Sequence, residues 1–154
     1  MRPTGHSLRR ISSMHLLCTP GTRVFVATGY IQRHEGAALM RELEKQHGLV
    51  ITCDWTKETL APLTMSQKAI RDTSAVRSAH VLVALMTLPS YEYKGTFTEL
   101  GMALGLGIPI VLISPFTVTT DAKCARNIYF HCPEFKRYTS LADFRAALST
   151  NPAS

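Results

Sequence analysis

Two carboxylates in the sequence stand on helical faces that are otherwise apolar. Glu99 is followed at i+3, i+4 and i+7 by Met102, Ala103 and Leu106. Asp72 falls in the middle of a stripe made of Met65, Ala69, Val76 and Ala79. A lone acid in apolar surroundings costs free energy unless it is paired or hydrogen-bonded, so both acids are candidates for a functional role.

Two acids in unlike surroundings suit a reaction at an acetal carbon. One carboxylate attacks, while the other, kept protonated, assists the leaving group. The N-glycosidic bond of a nucleoside is such a bond, with a nitrogen base leaving. A structural explanation is open for each acid: an arginine salt bridge or a loop cap for Asp72, and a helix-dipole interaction in the first turn for Glu99.

The elements that must position these acids alternate between short apolar runs and helical patterns. We predict strands at residues 23–28, 49–55, 80–86, 108–113 and 127–130. Helices are predicted at residues 34–48, 64–79, 96–106 and 140–148. This alternation predicts βαβ units, and therefore an α/β fold with one parallel sheet that carries helices on both faces.

Ligands of such sheets bind beyond the carboxyl ends of the strands. That rule puts four segments on the functional rim: 28–36, 53–58, 87–95 and 114–120. Three rim aromatics are candidates to stack on a nucleobase, although packing explains each equally well: Tyr30, Trp55 and Tyr93. Gln32, Arg33 and His34 precede a helix and form either an anion site or a solvated helix entrance. The first strand is not followed by GxGxxG, so we expect no dinucleotide site.

The length and charge of the chain limit the classes of protein to which it can belong. The 154 residues favour one domain, and no apolar run reaches the ~18 residues that span a bilayer. Much of the net charge of +6 comes from the first 34 residues, which contain five arginines and no acid, so we expect no nucleic-acid surface. We predict a flexible or targeting-like extension over 1–22 and a single domain over 23–154. The expected location is cytoplasmic, with mitochondrial targeting as the alternative.

The four cysteines do not indicate a metal or disulfide framework. Cys18, Cys53, Cys124 and Cys132 form no CxxC pair. Their spacing relative to His131 matches no usual zinc pattern. We therefore predict reduced thiols, no metal site and no cofactor.

Four landmarks occur in a characteristic order: VFVATGY at 24–30, CDWT at 53–56, AIRDTSAVRSAHVLVALM at 69–86 and GTFTELGMALGLGIPIVLI at 95–113. With them, residues 23–115 resemble the nucleoside 2-deoxyribosyltransferase superfamily. The resemblance implies a flavodoxin-like (Rossmann-like) fold with a five-stranded sheet. It also implies a homo-oligomer, because active sites of this family borrow residues from a neighbouring subunit.

The resemblance further implies roles for individual residues. Glu99 is the expected nucleophile, which attacks the anomeric carbon of 2-deoxyribose and forms a covalent glycosyl-enzyme. Asp72 is the expected acid that protonates the departing base. Phe25 occupies the place where family members often have a tyrosine that orients the nucleophile. The expected substrate-binding set is Phe25, Gly29, Tyr30, Arg33, Asp54, Trp55, Tyr93 and Gly95.

The leading hypothesis is an N-deoxyribosyltransferase that exchanges the bases of 2′-deoxynucleosides. Its expected partners are a deoxynucleoside or deoxynucleotide and a free nucleobase, with no nucleic acid and no membrane. One alternative is a hydrolase of the N-glycosidic bond of deoxynucleoside 5′-monophosphates. Another is a non-catalytic nucleotide-binding sensor, which would still function without the carboxylate of Glu99.

Overall fold

The computed structural model of the protein describes residues 12–57 and 62–150. The strands are β1 (Arg23–Thr28), β2 (Val50–Ile51), β3 (Val81–Leu85), β4 (Ile110–Ile113) and β5 (Lys136–Tyr138). The helices are α1 (Ser13–Leu17), α2 (Arg33–His47), α3 (Met65–Ser78), α4 (Lys94–Gly105) and α5 (Leu141–Thr150). All neighbouring strands are parallel in the order β2-β1-β3-β4-β5. This is the flavodoxin-like order, so the predicted fold class is confirmed.

Successive residues of the central strands point to opposite faces of the sheet and form two cores. One core includes side chains of β1, β3, α3 and α4, among them Phe25, Leu82, Val76 and Leu100. The other includes side chains of β1, α1, α2 and α5, among them Val24, Leu17, Leu39 and Phe144. Because α3 and α4 pack against each other, the two helices that carry Asp72 and Glu99 lie on the same face of the sheet.

Local capping signals explain why two of the predicted helices are confirmed closely. Thr64 accepts a hydrogen bond from the backbone N–H of Gln67, and the side chain of Gln67 accepts one from the N–H of Thr64. This capping box fixes the start of α3. Gly48 ends α2 in a left-handed conformation with φ of 64°, which glycine adopts without steric cost.

Two strand predictions are wrong, one in its place in the chain and one in its length. Residues 127–130 are not a strand, because the Asn127 side chain accepts from the N–H of Tyr129 and opens a 3₁₀ turn over Ile128–His131. The fifth strand follows that turn as β5. The second strand has only two residues, since the carboxylate of Asp54 accepts from the N–H of Thr56 and turns the chain soon after Ile51.

Part of the predicted N-terminal extension belongs to the folded body. Residues 13–17 form α1, whose Leu17 is fully buried in the second core. The thiol of Cys18 lies 3.8 Å from the carbonyl oxygen of Leu148 in α5. A flexible extension over 12–22 is therefore wrong, and residues 1–11 lie outside the described ranges. No helix in the described ranges has the length and apolar character needed to cross a membrane.

Candidate active site

Glu99 is the sixth residue of α4 and lies two residues further into the helix than expected, beyond the first turn. The helix begins at Lys94, and its first turn contains no acid. Helix-dipole stabilisation falls off within the first turn, so this structural explanation for a buried glutamate is weak. Burial, and then the negative charge of Asp72, raise the pKa of Glu99 to about 8. In the part of the chain that the structure describes, no hydrogen bond or ion pair offsets this cost.

Asp72 has a more open environment on the neighbouring helix. Its carboxylate accepts a hydrogen bond of 2.8 Å from Nε of Arg71, and the two side chains are 31% and 29% exposed. An ion pair this exposed contributes only about 0–1 kcal/mol to folding. The salt bridge that the sequence suggested is present, but it is too weak to explain by itself why an acid occupies this position.

A cleft of about 430 Å³ opens beside Asp72. Its lining includes the rings of Tyr30 and Trp55, two of the predicted base-stacking residues. The indole N–H of Trp55 donates to the carbonyl oxygen of Val26 at 2.8 Å, which fixes the plane of the ring. Glu99 does not line this cleft, and its link to the site is its electrostatic coupling to Asp72.

Two other predicted substrate contacts are wrong. Tyr93 is 1% exposed, because its backbone adopts a left-handed conformation with φ of 54° and its ring lies in the first core. Its ring cannot stack on a base. Phe25 is fully buried in the middle of β1, so it packs against the sheet neighbours and cannot touch a substrate.

The other residues of the predicted substrate-binding set differ in their contacts within the chain. Arg33 places its guanidinium 4.7 Å from the ring centre of Tyr30. Burial raises the pKa of Asp54, but hydrogen bonds from Thr56 and Lys57 outweigh that effect and lower it. A Cβ atom at position 29 would lie 2.4 Å from the Tyr91 ring, so only glycine fits there. At Gly95 a Cβ atom would meet nothing within 4 Å, so no described neighbour requires glycine there.

Neither a family model nor a curated protein matches the amino-acid sequence. Solved structures do. The CMP N-glycosidase from Clostridium botulinum is 18% identical over 84% of this chain and 100% of that chain, with a TM-score of 0.55. The 2-desoxiribosyltransferase from Leishmania mexicana is 19% identical over 84% and 95%, with a TM-score of 0.52. A conserved protein from Enterococcus faecalis V583 is 18% identical over 86% and 89%, with a TM-score of 0.51.

The chain has the fold of these proteins. The resemblance noted in the sequence is thereby confirmed at the level of the fold. Their likeness covers 84% to 86% of this chain.

Sequence reasoning missed three side chains at or near the cleft. The thiol of Cys53 has its pKa raised by burial, and it is close enough to the acids to be affected by their charges. Lys57 and Lys68 line the cleft beside Arg71. A signal was present for two of them, because the strand-end rule put residues 53–58 on the rim.

The arrangement therefore combines a buried carboxyl, an open carboxylate and a cleft with aromatic and cationic walls. Such a site can bind a planar, polar ligand and move a proton between two acids near it. Among the described residues, no group of three or more His, Cys, Asp or Glu side chains could hold a metal ion.

Proposed function

We propose that this protein cleaves the N-glycosidic bond of 2′-deoxynucleosides and transfers the deoxyribosyl group to a second base. The observation that carries this proposal is the placement of Asp72 and Glu99 on α3 and α4, two helices that pack against each other beside the cleft, so that the charge of Asp72 contributes to the raised pKa of Glu99. The fold shared with the 2-desoxiribosyltransferase from Leishmania mexicana supports the same activity. So do the rings of Tyr30 and Trp55, which offer a nucleobase a flat apolar surface.

At neutral pH Glu99 holds its proton, because burial and the charge of Asp72 both oppose its ionisation. Attack at a sugar carbon requires the carboxylate form of Glu99. Transfer of the proton from Glu99 to Asp72 produces the nucleophile and the acid in one step, so the singly protonated pair is the reactive form.

In the first half-reaction, a carboxylate oxygen of Glu99 bonds to the anomeric carbon as the bond from that carbon to the base nitrogen breaks. Asp72 gives its proton to the departing base and returns to the carboxylate form. In the second half-reaction, another base attacks the anomeric carbon and gives its proton to Asp72. The ester bond between Glu99 and the anomeric carbon breaks as the bond to the second base forms, which frees the Glu99 carboxylate and leaves one proton on the pair.

A second candidate is a hydrolase of deoxynucleoside 5′-monophosphates. Lys57, Lys68 and Arg71 line the cleft, and cations at this place favour a substrate that carries a phosphate group. The fold shared with the CMP N-glycosidase from Clostridium botulinum supports this candidate. Water then replaces the second base, and free deoxyribose 5-phosphate appears without any acceptor.

The test is incubation with a panel of 2′-deoxynucleosides and their monophosphates, each with and without a second free base. We expect an exchanged nucleoside, and we expect Glu99→Ala to lower its rate by about three or more orders of magnitude. Glu44→Ala on the exposed side of α2 is the matched control and should keep the full rate. Absence of both exchange and base release across the panel would refute an enzyme of this kind and leave the sensor hypothesis.

A further inference from the structure

A buried polar network joins the loop after β1 to the loop before α4. Gln32, at the end of a 3₁₀ turn, is 3% exposed. Its side-chain amide donates to the carboxylate of Glu35 at 2.6 Å and to the hydroxyl of Thr87 at 2.7 Å. Its carbonyl oxygen accepts from the hydroxyl of Tyr93. Every donor and one acceptor site of this amide are therefore used within the protein.

The chemistry of the partners fixes the direction of these hydrogen bonds. The carboxylate of Glu35 can only accept, so the nitrogen of Gln32 must face it. Burial raises the pKa of Tyr93 to about 12, so its hydroxyl keeps the proton that it donates to Gln32. The same hydroxyl accepts from the backbone N–H of Leu88 at 2.9 Å. Gln32 and Tyr93 are both buried, so removal of either polar group leaves a buried polar atom of the other without its partner.

The network ends at the residue from which α4 begins. Tyr93 is the N-cap of α4, and its carbonyl oxygen accepts the first helical hydrogen bond, from the N–H of Phe97 at 2.9 Å. Tyr93 is also the one non-glycine residue with positive φ in the described ranges. A tyrosine keeps this strained backbone conformation only when its side chain is firmly held. The Tyr91 ring packs edge-on against it with the ring centres 4.8 Å apart.

We propose that Gln32, acting through Tyr93, is a positioning residue for the reaction: it fixes the start of α4 and thereby the place of Glu99 relative to Asp72. Gln32 reaches Glu99 only through Tyr93 and the helix. The side-chain amide of Gln32 is engaged by Glu35, Thr87 and Tyr93 and is therefore not available to bind an anion. A positioning role accounts for the burial of Gln32, whereas an anion site does not. The proposal rests on the proposed function for its kinetic part.

The test compares four variants with the wild type. Tyr93→Phe removes only the hydroxyl, and Gln32→Glu removes both donors and sets a carboxylate against Glu35. The exchange Gln32→Glu with Glu35→Gln restores an amide that donates to a carboxylate. Tyr138→Phe is the control, because that half-buried tyrosine lies on β5 and its hydroxyl makes no hydrogen bond within the described residues.

We expect both single variants to lower kcat for base release by about tenfold or more while KM stays within about threefold. Amide hydrogen exchange over residues 94–99 should accelerate in the same variants, and the control should match the wild type in both readouts. The double variant should recover kcat and slow exchange, which a loss of packing alone would not predict.

Unchanged exchange over 94–99 in both single variants, or no recovery in the double variant, would overturn the positioning role. A kcat within about twofold of the wild type in both would overturn it as well. If the wild type releases no base from any substrate, the proposed function fails, and exchange in the single and double variants still decides whether Gln32 fixes α4.

Discussion

At the scale of single residues, the site depends on two half-buried carboxyl groups with different partners. Glu99 lacks a hydrogen-bonding partner among the described residues, whereas Asp72 lines a cleft and pairs with Arg71. The surroundings of Glu99, and not its residue type, therefore decide that it holds a proton at rest. In the proposed function, the reaction begins when this proton moves from Glu99 to Asp72.

The buried carboxyl of Glu99 should make stability depend on pH. Its pKa is about 8 in the folded protein and near 4.5 in an unfolded chain, so between these values the folded state holds a proton that the unfolded state releases. Raising the pH through this window therefore lowers the free energy of unfolding. Glu99→Gln lacks this loss, and relative to the wild type it should gain about 4 kcal/mol between pH 5 and pH 8.5.

Urea unfolding of both proteins at the two pH values measures this difference. Glu44→Gln is the control, since Glu44 is exposed on α2 and should show no such gain. An equal stability difference between Glu99→Gln and the wild type at both pH values would contradict a raised pKa at Glu99.

The shared proton also predicts the direction of a pH–rate profile. In the proposed function Glu99 supplies the proton that Asp72 later donates, and Glu99 loses that proton as pH rises through about 8. We expect kcat/KM for base release to be level near neutrality and to fall about tenfold per pH unit well above 8. A rate that instead increases through pH 8 would mean that ionised Glu99 acts without a proton on Asp72.

At the scale of elements, local signals in the sequence predicted what local physics determines. The capping box at Thr64 sets the start of α3, and the left-handed conformation of Gly48 sets the end of α2. Both signals involve only residues close in sequence, and both helices were predicted closely. The acids at 72 and 99 were found because they interrupt an apolar helical period. These signals depend on neighbours in sequence, so a single chain is enough to interpret them.

Features set by distant contacts were predicted wrongly. Tyr93 looked like a rim aromatic, but its side chain bonds to Gln32, 61 positions earlier, and is buried. The apolar run at 127–130 looked like a strand, although only Phe130 of its three large apolar side chains is buried there. In both cases the burial partner, and not the residue's own propensity, decides the outcome.

The short helix α1 should contribute to the stability of the second core. Leu17 is fully buried there, so Leu17→Ala leaves a cavity beneath α1 and should lower the free energy of unfolding by about 3 kcal/mol. His15→Ala, on the exposed side of the same helix, should change it by less than about 0.5 kcal/mol. Equal effects of the two substitutions in chemical denaturation would show that α1 does not pack on this core.

At the scale of the whole molecule, the first half of α3 lacks a cover. Residues 64–70 are all exposed, including Met65 at 83% and Ile70 at 64%. Asp72 follows directly and lines the cleft. We propose that a second copy of the chain covers the exposed side chains of Met65 and Ile70 and closes the cleft, as the resemblance implies for an assembly with shared active sites.

Ile70→Glu tests this assembly, because a charge in a buried interface opposes association. We expect sedimentation to give a monomer for Ile70→Glu and a larger species for the wild type, with loss of base release in the variant. Val50→Glu, at a 47% exposed position on β2, is the control and should assemble normally. A monomeric wild type that turns over substrate would contradict a shared site.

Covalent bonding of Glu99 to the sugar can be measured as the intact mass of the protein after mixing with a 2′-deoxy-2′-fluoro nucleoside. Fluorine at C2′ disfavours the cationic transition state and slows breakdown of the glycosyl-enzyme. We expect one added fluorodeoxyribosyl group, which peptide mapping assigns to Glu99 and which Glu99→Gln lacks. No adduct with either the nucleoside or its 5′-monophosphate, or an adduct on another residue, would contradict it.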